Sequence, residues 1–360
     1  MKKILALTLA LAMMLGLCAP ALAEGDAYVF WYTYGDVYLS SVRTALDAAL
    51  AEKGLNAFDQ DANAVQQTQT DQINTALVSG ASAMIVNMCD SGAAGTAETI
   101  INAVKATGLP LVFFNRALST DNDEAAALVK SYEKCVFVGT NFEEAGIMQG
   151  KMIGEYVLEN YDALDLNGDG VITYVMFKGD EANQEAIART KYGVECADEV
   201  LTAAGKPALK FYDDSNANKY LVDMNGTWSN TASFDYMSTI LSMYNEANGN
   251  MVELVIANND DMALGAVNAL TNAGYNTGNE GDKVIPVFGV DATDAAKELI
   301  ATGRMIGTIK QDAVGMADAV ATIAANLVEG KDMFDGLNES YGVTDGWMVT
   351  IPYAVYTGEE

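Results

Sequence analysis

The stretch VITYVMFKGDEANQEAIARTKYGVECADEVLTAA, Val171–Ala204, sets a short apolar run closed by polar residues ahead of an amphipathic segment of helical length. A strand covered on both faces reads as a nearly continuous apolar run. The segment from Gln184 onward has the length and patterning of a surface helix. The same pairing recurs along the chain. Apolar runs closed by a polar residue appear as AYVFWYTYGD, AMIVNMCD, LPLVFFNR, CVFVGTNF, LVIANNDD, VIPVFGVD and MIGTIKQD. Between them lie amphipathic segments such as 39–53, 67–79, 143–158 and 312–329. Strand and helix in alternation predict parallel α/β sheets. In 360 residues, so many strands suit two doubly wound domains better than one.

Ligands of such sheets bind beyond the carboxyl ends of the strands. Asp36, Asn87, Asn115, Asn141, Asn259, Asp291 and Gln311 fall at those ends. Asp and Asn are also favoured helix N-caps, and each position alone can be read that way. Seven together favour a ligand, because caps alone would use Ser and Thr as readily.

Composition excludes several functions. The chain has no histidine, which removes Ser-His-Asp, Cys-His and histidine-ligated metal sites. No phosphate-cradling Gly-Lys-Ser/Thr loop or G-x-G-x-x-G at a strand end is present. A formal charge of −29 opposes nucleic acid as a partner. The start MKKILALTLALAMMLGLCAPALAEG has the form of an export signal, with cleavage expected after Ala23. Acylation at Cys18 is the alternative. The remaining Cys89, Cys135 and Cys196 have no metal spacing and read as core thiols.

The stretch DLNGDGVITYVM, 165–176, places Asp165, Asn167 and Asp169 at alternate positions before Gly170, as a calcium loop does. Its twelfth position, where such a loop needs a bidentate Glu, is Met176. A polar turn is the other reading.

DLNGDGVITYVMFKG, VELVIANNDDMALGAVNAL, VIPVFGVDA, GTIKQDA, LVFFNR and VGTNFEEAGIMQG together resemble the bacterial periplasmic galactose/glucose-binding proteins of ABC sugar importers. The resemblance spans roughly residues 28–356. It implies an α/β fold of two Rossmann-like lobes with parallel sheets, joined by a hinge of three crossings and closing on a sugar. Carried onto this chain, the crossings fall near 109–115, Gln311 and Thr350. The N-terminal lobe is then 24–111 plus 311–349, and the C-terminal lobe 112–310 plus 350–360. Pro110 and Pro352 lie beside two of these positions.

In that family a glutamate from a distant strand completes the calcium site. The resemblance therefore implies a structural Ca2+ held by Asp165, Asn167, Asp169, the Val171 carbonyl, Thr173 and Glu253. Thr173 stands where the family usually has an amide. For the sugar it implies Asp36, Tyr38, Asn87, Asn183, Glu185, Arg189, Trp228, Asn259, Asp291 and Gln311. Asn183 replaces a histidine of the family, Glu185 an aspartate and Gln311 an asparagine. These groups suit a pyranose, since carboxylates, amides and a guanidinium match hydroxyls and aromatic faces cover the ring.

The expected function is capture of a hexose, galactose or glucose, by an exported monomer that delivers it to an ABC permease without catalysis. A chemoreceptor is a further partner in some relatives. The rivals are a sensor component using the same lobes, a carbohydrate-active enzyme built on paired carboxylates, and a repressor of the same fold. The repressor would need a basic helix-turn-helix where the export signal stands. With Asn183 in place of histidine, and pocket carboxylates at ordinary values, sugar affinity is expected to stay flat from about pH 6 to 8.

Overall fold

The computed structural model describes residues 25–358. Residues 1–23, expected to be an export signal, and Cys18 within them lie outside the described residues. Strands and helices first alternate as β1 (Gly25–Trp31), α1 (Val37–Glu52), β2 (Leu55–Asp61), α2 (Gln66–Leu77), β3 (Ala83–Val86), α3 (Ala94–Lys105), β4 (Leu111–Phe114), α4 (Asn122–Lys130) and β5 (Cys135–Gly139). The five strands pair in parallel in the order β5-β4-β3-β1-β2.

A second unit of the same kind follows. It runs through α5 (Phe142–Leu164), β6 (Thr173–Lys178), α6 (Gln184–Ala203), β7 (Lys210–Phe211), β8 (Leu221–Val222), α7 (Asn230–Met243), β9 (Leu254–Ala257), α8 (Asp260–Asn272), β10 (Val287–Asp291), α9 (Asp294–Ala301) and β11 (Gly307–Gln311). Its strands are parallel in the order β11-β10-β9-β6-β7, with β8 also on β6. The chain then returns to the first sheet with α10 (Ala313–Glu329), β12 (Gly342–Thr344) and β13 (Met348–Thr350), which lies parallel to β5. It ends on the second with β14 (Tyr353–Tyr356), antiparallel to β11.

The strand of the opening stretch shows why its run is apolar throughout. Tyr174 and Met176 of β6 pack with α5 and α6, while Val175 and Phe177 face α7, α8 and α9. Successive side chains on a strand point to opposite faces, so a sheet covered on both faces needs an apolar residue at every position. Likewise Ala83 and Ile85 of β3 face α1 and α10, and Met84 and Val86 face α2, α3 and α4. Each fully buried large aliphatic or aromatic side chain contributes about 1.5–3 kcal/mol.

The first hinge crossing differs from the expected one. β4 pairs with both β3 and β5, so the chain leaves the first sheet between Gly139 and Phe142 and not near 109–115. Pro110 directly precedes β4, a position where its missing N–H is tolerated. The first lobe therefore extends through Gly139 and the second begins at α5. The other two crossings lie between Gln311 and Ala313 and between Thr350 and Tyr353.

Three glycines of α5 matter for the site. A Cβ at Gly146, Gly150 or Gly154 would press on the backbone of α6 at Ala188, Tyr192 or Ala197. Their absence of side chain lets α5 lie against α6 and holds the start of α6 at the cleft. Among the described residues, no helix is long and apolar enough to cross a membrane. Cys135 and Cys196 are buried and Cys89 is half-buried, all three as free thiols.

Candidate functional site: the cavity between the lobes

Strand ends from both lobes meet around a cavity with about 330 Å³ of empty space, part of it open to solvent. Asp36, Tyr38, Asn115 and Arg116 line it from the first lobe. Asn183, Glu185, Arg189, Trp228, Asn259, Asp291 and Gln311 line it from the second. Both readings of the strand-end residues hold at once for some of them. Asp36 caps α1 by accepting from the Leu39 N–H at 2.9 Å, Asn183 caps α6 through the Ala186 N–H at 3.0 Å, and Asn259 caps α8 through the Met262 N–H at 3.0 Å. Capping fixes each rotamer, and the second polar atom is engaged in two of the three: Asp36 Oδ2 accepts from the Tyr32 hydroxyl at 2.8 Å and Asn183 Nδ2 donates to Ser91 Oγ at 3.1 Å.

Arg189 is the centre of the arrangement. Its guanidinium donates to the Asn258 carbonyl at 2.9 Å, the Tyr353 hydroxyl at 3.1 Å, Gln311 Oε1 at 3.2 Å and Glu185 Oε2 at 3.3 Å. The Thr140 hydroxyl donates to Glu185 Oε1 at 2.8 Å, and the Tyr353 hydroxyl lies 3.0 Å from Thr140 Oγ1. Thr140, Gln311 and Tyr353 stand one on each of the three crossings. The hinge and the cavity thus share one hydrogen-bond network.

Trp228 packs against the backbone of Gly179, where any Cβ would overlap the indole ring. Its φ of +57°, with +61° at Asn115 and +125° at Asp291, lies in the left-handed region that non-glycine residues rarely enter. Such conformations cluster at functional sites, where surrounding contacts hold them. Seven buried side-chain polar atoms among the described residues lack a partner, and four belong to the cavity: Tyr38 Oη, Arg116 Nε, Arg189 Nε and Gln311 Nε2. A buried polar atom left unpaired costs about 1–3 kcal/mol, which a hydroxyl-bearing ligand would offset.

Burial governs the charges. Asp291 is pushed well above the usual carboxylate range by desolvation, Arg189 pulling it down and Asp260, Asp36 and Glu185 pushing it further up. Desolvation also raises Asp36, against the Leu39 N–H and the Tyr32 hydroxyl. Asp260, behind the cavity, is raised to about 7 by burial, although Thr308 and Thr293 donate to it. Against the expectation of ordinary values for the pocket carboxylates, burial raises Asp36 and Asp291. Burial outweighs Arg189 at Asp291 and both Arg116 and Arg189 at Asp36. For Arg189 burial opposes the charge, yet Tyr353, Glu185 and Asp291 hold its value above the ordinary one.

Asn87 does not reach the cavity. It is fully buried, accepts from the Tyr32 N–H at 3.3 Å and donates to Asn115 Oδ1 at 3.2 Å, so it supports a lining residue instead. Asn115 and Arg116 take the place expected of it. Asn115 stood among the strand ends, and Arg116 directly follows it in LVFFNR. Arg116 bridges the lobes through Asp180 at 3.2 Å and stacks over the Tyr32 ring at 4.1 Å. Asn183 adds a second bridge by donating to Ser91 Oγ at 3.1 Å.

The calcium-type loop leads into the start of β6, at the opposite end of that strand from the residues that line the crevice. Its carboxylates are turned inward. Asp165 accepts from the Asp169 and Gly170 N–H groups at 3.1 and 2.9 Å, and Asp169 from the Val171 N–H at 2.9 Å. Glu253 is fully buried and accepts from the Leu166 and Thr173 N–H groups at 2.8 and 2.9 Å and from the Thr173 hydroxyl at 3.1 Å. Asn167 Oδ1 accepts from the Asp169 N–H at 2.8 Å. Glu253 thus closes the loop from a distant strand. The donors are all oxygen, the type a hard cation takes, and desolvation raises Glu253 while the loop's hydrogen bonds lower it. Among the described residues, however, no three Asp, Glu or Cys side chains form a ready metal cluster.

Residues 27–332 match the model of the periplasmic binding protein domain. The chain is 34% identical over 331 residues to the D-galactose/methyl-galactoside binding periplasmic protein MglB of Haemophilus influenzae, covering 91% of this chain and 89% of that one. Two solved structures share the fold. An ABC transporter solute binding protein from Bacillus halodurans with bound myo-inositol has a TM-score of 0.67 at 22% identity, covering 94% and 96% of the two chains. One from Clostridium phytofermentans with bound β-D-glucose has a TM-score of 0.68 at 18% identity, covering 92% and 94%. Two α/β lobes, a lined cleft between them and a match over most of the length lead to one conclusion: the chain belongs to the periplasmic binding protein family, whose members are solute-binding proteins and not enzymes.

Proposed function

We propose that the protein captures a hexose, galactose or glucose, between its lobes and presents it in the closed form to an ABC permease. The observation that carries this reading is the composition of the cavity. Three carboxylates, two guanidinium groups and four amides surround a space walled by Tyr38 and Trp228. Hydroxyls both donate and accept, and this mixture offers partners for each. The indole supplies a face for the C–H side of a pyranose ring. The name of the Haemophilus influenzae relative supports galactose.

Closure couples binding to recognition. A ligand touching both lobes favours the closed arrangement by its differential affinity for it, and Arg116–Asp180 and Ser91–Asn183 form only when the lobes meet. Calcium belongs to the same proposal. Asp165, Asn167, Asp169, Glu253, the Val171 carbonyl and Thr173 would hold it, and it would supply positive charge to the buried Glu253 without entering the binding step. Calorimetry against a monosaccharide panel tests the sugar reading. A single hexose should bind without being consumed, and absence of binding across the panel, or turnover, overturns it.

A further inference from the structure

Arg116 lines the ligand cavity and also a wider space between the lobes, about 930 Å³ with part of it open to solvent. That space is bounded by Tyr32 and Cys89 of the first lobe and by Asp180, Glu181 and Met224 of the second. The Arg116 guanidinium therefore stands in the partition between the cavity and the mouth of the cleft. Each lobe fixes its own half of this partition. In the first, the guanidinium lies 4.1 Å over the Tyr32 ring and donates from Nη2 to the Cys89 carbonyl at 3.1 Å. In the second, Asp180 Oδ1 accepts from the Ala182 N–H at 2.9 Å, and Oδ2 accepts from Arg116 Nη2 at 3.2 Å. The two side chains are 6% and 19% exposed, and a shielded charged hydrogen bond is stronger than one in water.

Arg116 Nε is buried and has no partner. A hydroxyl oxygen held in the cavity can accept that N–H. We propose that Arg116 is a ligand-binding residue that closes the cavity behind the sugar, and that Asp180 is the positioning residue that holds it there from the opposite lobe. The contact from Arg116 is then complete only when the lobes are shut, so the pair sets how long the sugar stays and not how fast it arrives. Neither residue is among those the resemblance implies for the sugar. The inference rests on the hexose reading above and adds to it a contact conditional on closure.

The test is stopped-flow kinetics on the full chain, with whichever of galactose and glucose binds the unmodified protein. Asp180→Asn keeps an acceptor for the Ala182 N–H and removes the charge. It is expected to raise the dissociation rate about tenfold and to leave the association rate within about twofold, with the ligand-free melting temperature unchanged. Asp180→Ser is a second charge-removing variant should the first fail to fold, and Asp180→Glu should restore part of the slow dissociation. Arg116→Lys should release the sugar at least as fast as Asp180→Asn, because an ammonium does not reproduce the guanidinium's fork of donors. The double variant should then dissociate no faster than Arg116→Lys alone, since Asp180 acts through Arg116. If a hexose binds the unmodified chain and removing the Asp180 charge leaves dissociation unchanged, or the two substitutions add in the double variant, this inference falls and the hexose reading stands. If no hexose binds the unmodified chain, both readings fall.

Discussion

The interlobe cavity and the loop at Asp165–Val171 are both rich in carboxylates, and they spend their hydrogen bonds in opposite ways. The loop turns its oxygens onto its own N–H groups, with Glu253 completing it. The cavity leaves Tyr38 Oη, Arg116 Nε, Arg189 Nε and Gln311 Nε2 unpaired. A site whose donors wait for a partner is organised for a ligand that comes and goes. A site that satisfies itself can hold its shape alone and gains from an ion mainly as stability.

The largest break in this comparison should come at Arg189. Arg189→Met is expected to strand the buried Glu185 carboxylate and unlink the three crossings. Removing one member of a buried pair costs about 3–5 kcal/mol, so sugar affinity should fall at least about a hundredfold with a clear drop in melting temperature. Retention of tight binding in calorimetry would show that the network only joins the hinge. Trp228→Ala should be milder, losing roughly tenfold in affinity through the missing stacking face with little change in thermal stability.

The loop should respond in the opposite sense. Chelating calcium, or Glu253→Gln, is expected to lower the melting temperature by about 5 °C while hexose affinity stays within about twofold. The chelator should then have no further effect on the Glu253→Gln variant. An unmoved transition in the unmodified chain would mean that the loop is complete without a metal.

A further effect concerns pH. Asp260 is raised from 3.8 to about 7 in the folded protein, chiefly by burial, so the folded state binds a proton that the unfolded chain has released. Its stabilising contribution is full below the unfolded value and is lost as pH rises toward about 7. Ligand-free melting temperature should therefore decline between about pH 5 and 8. Asp260→Asn should flatten that slope, and an unchanged slope would assign it to Asp291 or Asp36.

The two-lobed α/β architecture was legible because the central strands, covered on both faces, had to be apolar at every position. β6 is the clearest case, feeding two separate cores with alternate residues. Sheet membership was less legible. LVFF at β4 carries no local mark of which sheet it joins, and Pro110 marks a strand start as readily as a crossing. Asn87 and Asn115 look alike in the sequence, since both close an apolar run, and only the packing of β3 beside β4 turns one inward and the other toward the cavity. Thr140 and Tyr353 gave no signal at all. Their roles arise where separate crossings converge, and no sequence window contains both.

The return of α10, β12 and β13 to the first sheet also bears on the order in which the molecule assembles. α10 shares a core with α1, yet the whole second sheet except β14 is encoded between them. Joining them requires closing a loop that includes most of one lobe, and contacts so distant in sequence form slowly. The second lobe lacks only β14 from its sheet until the end of the chain. The first lobe lacks one of the two helices, α1 and α10, that together cover one side of its sheet. Folding should accordingly proceed with the middle of the chain compact first, and the N-terminal half should finish only after the last fifty residues arrive.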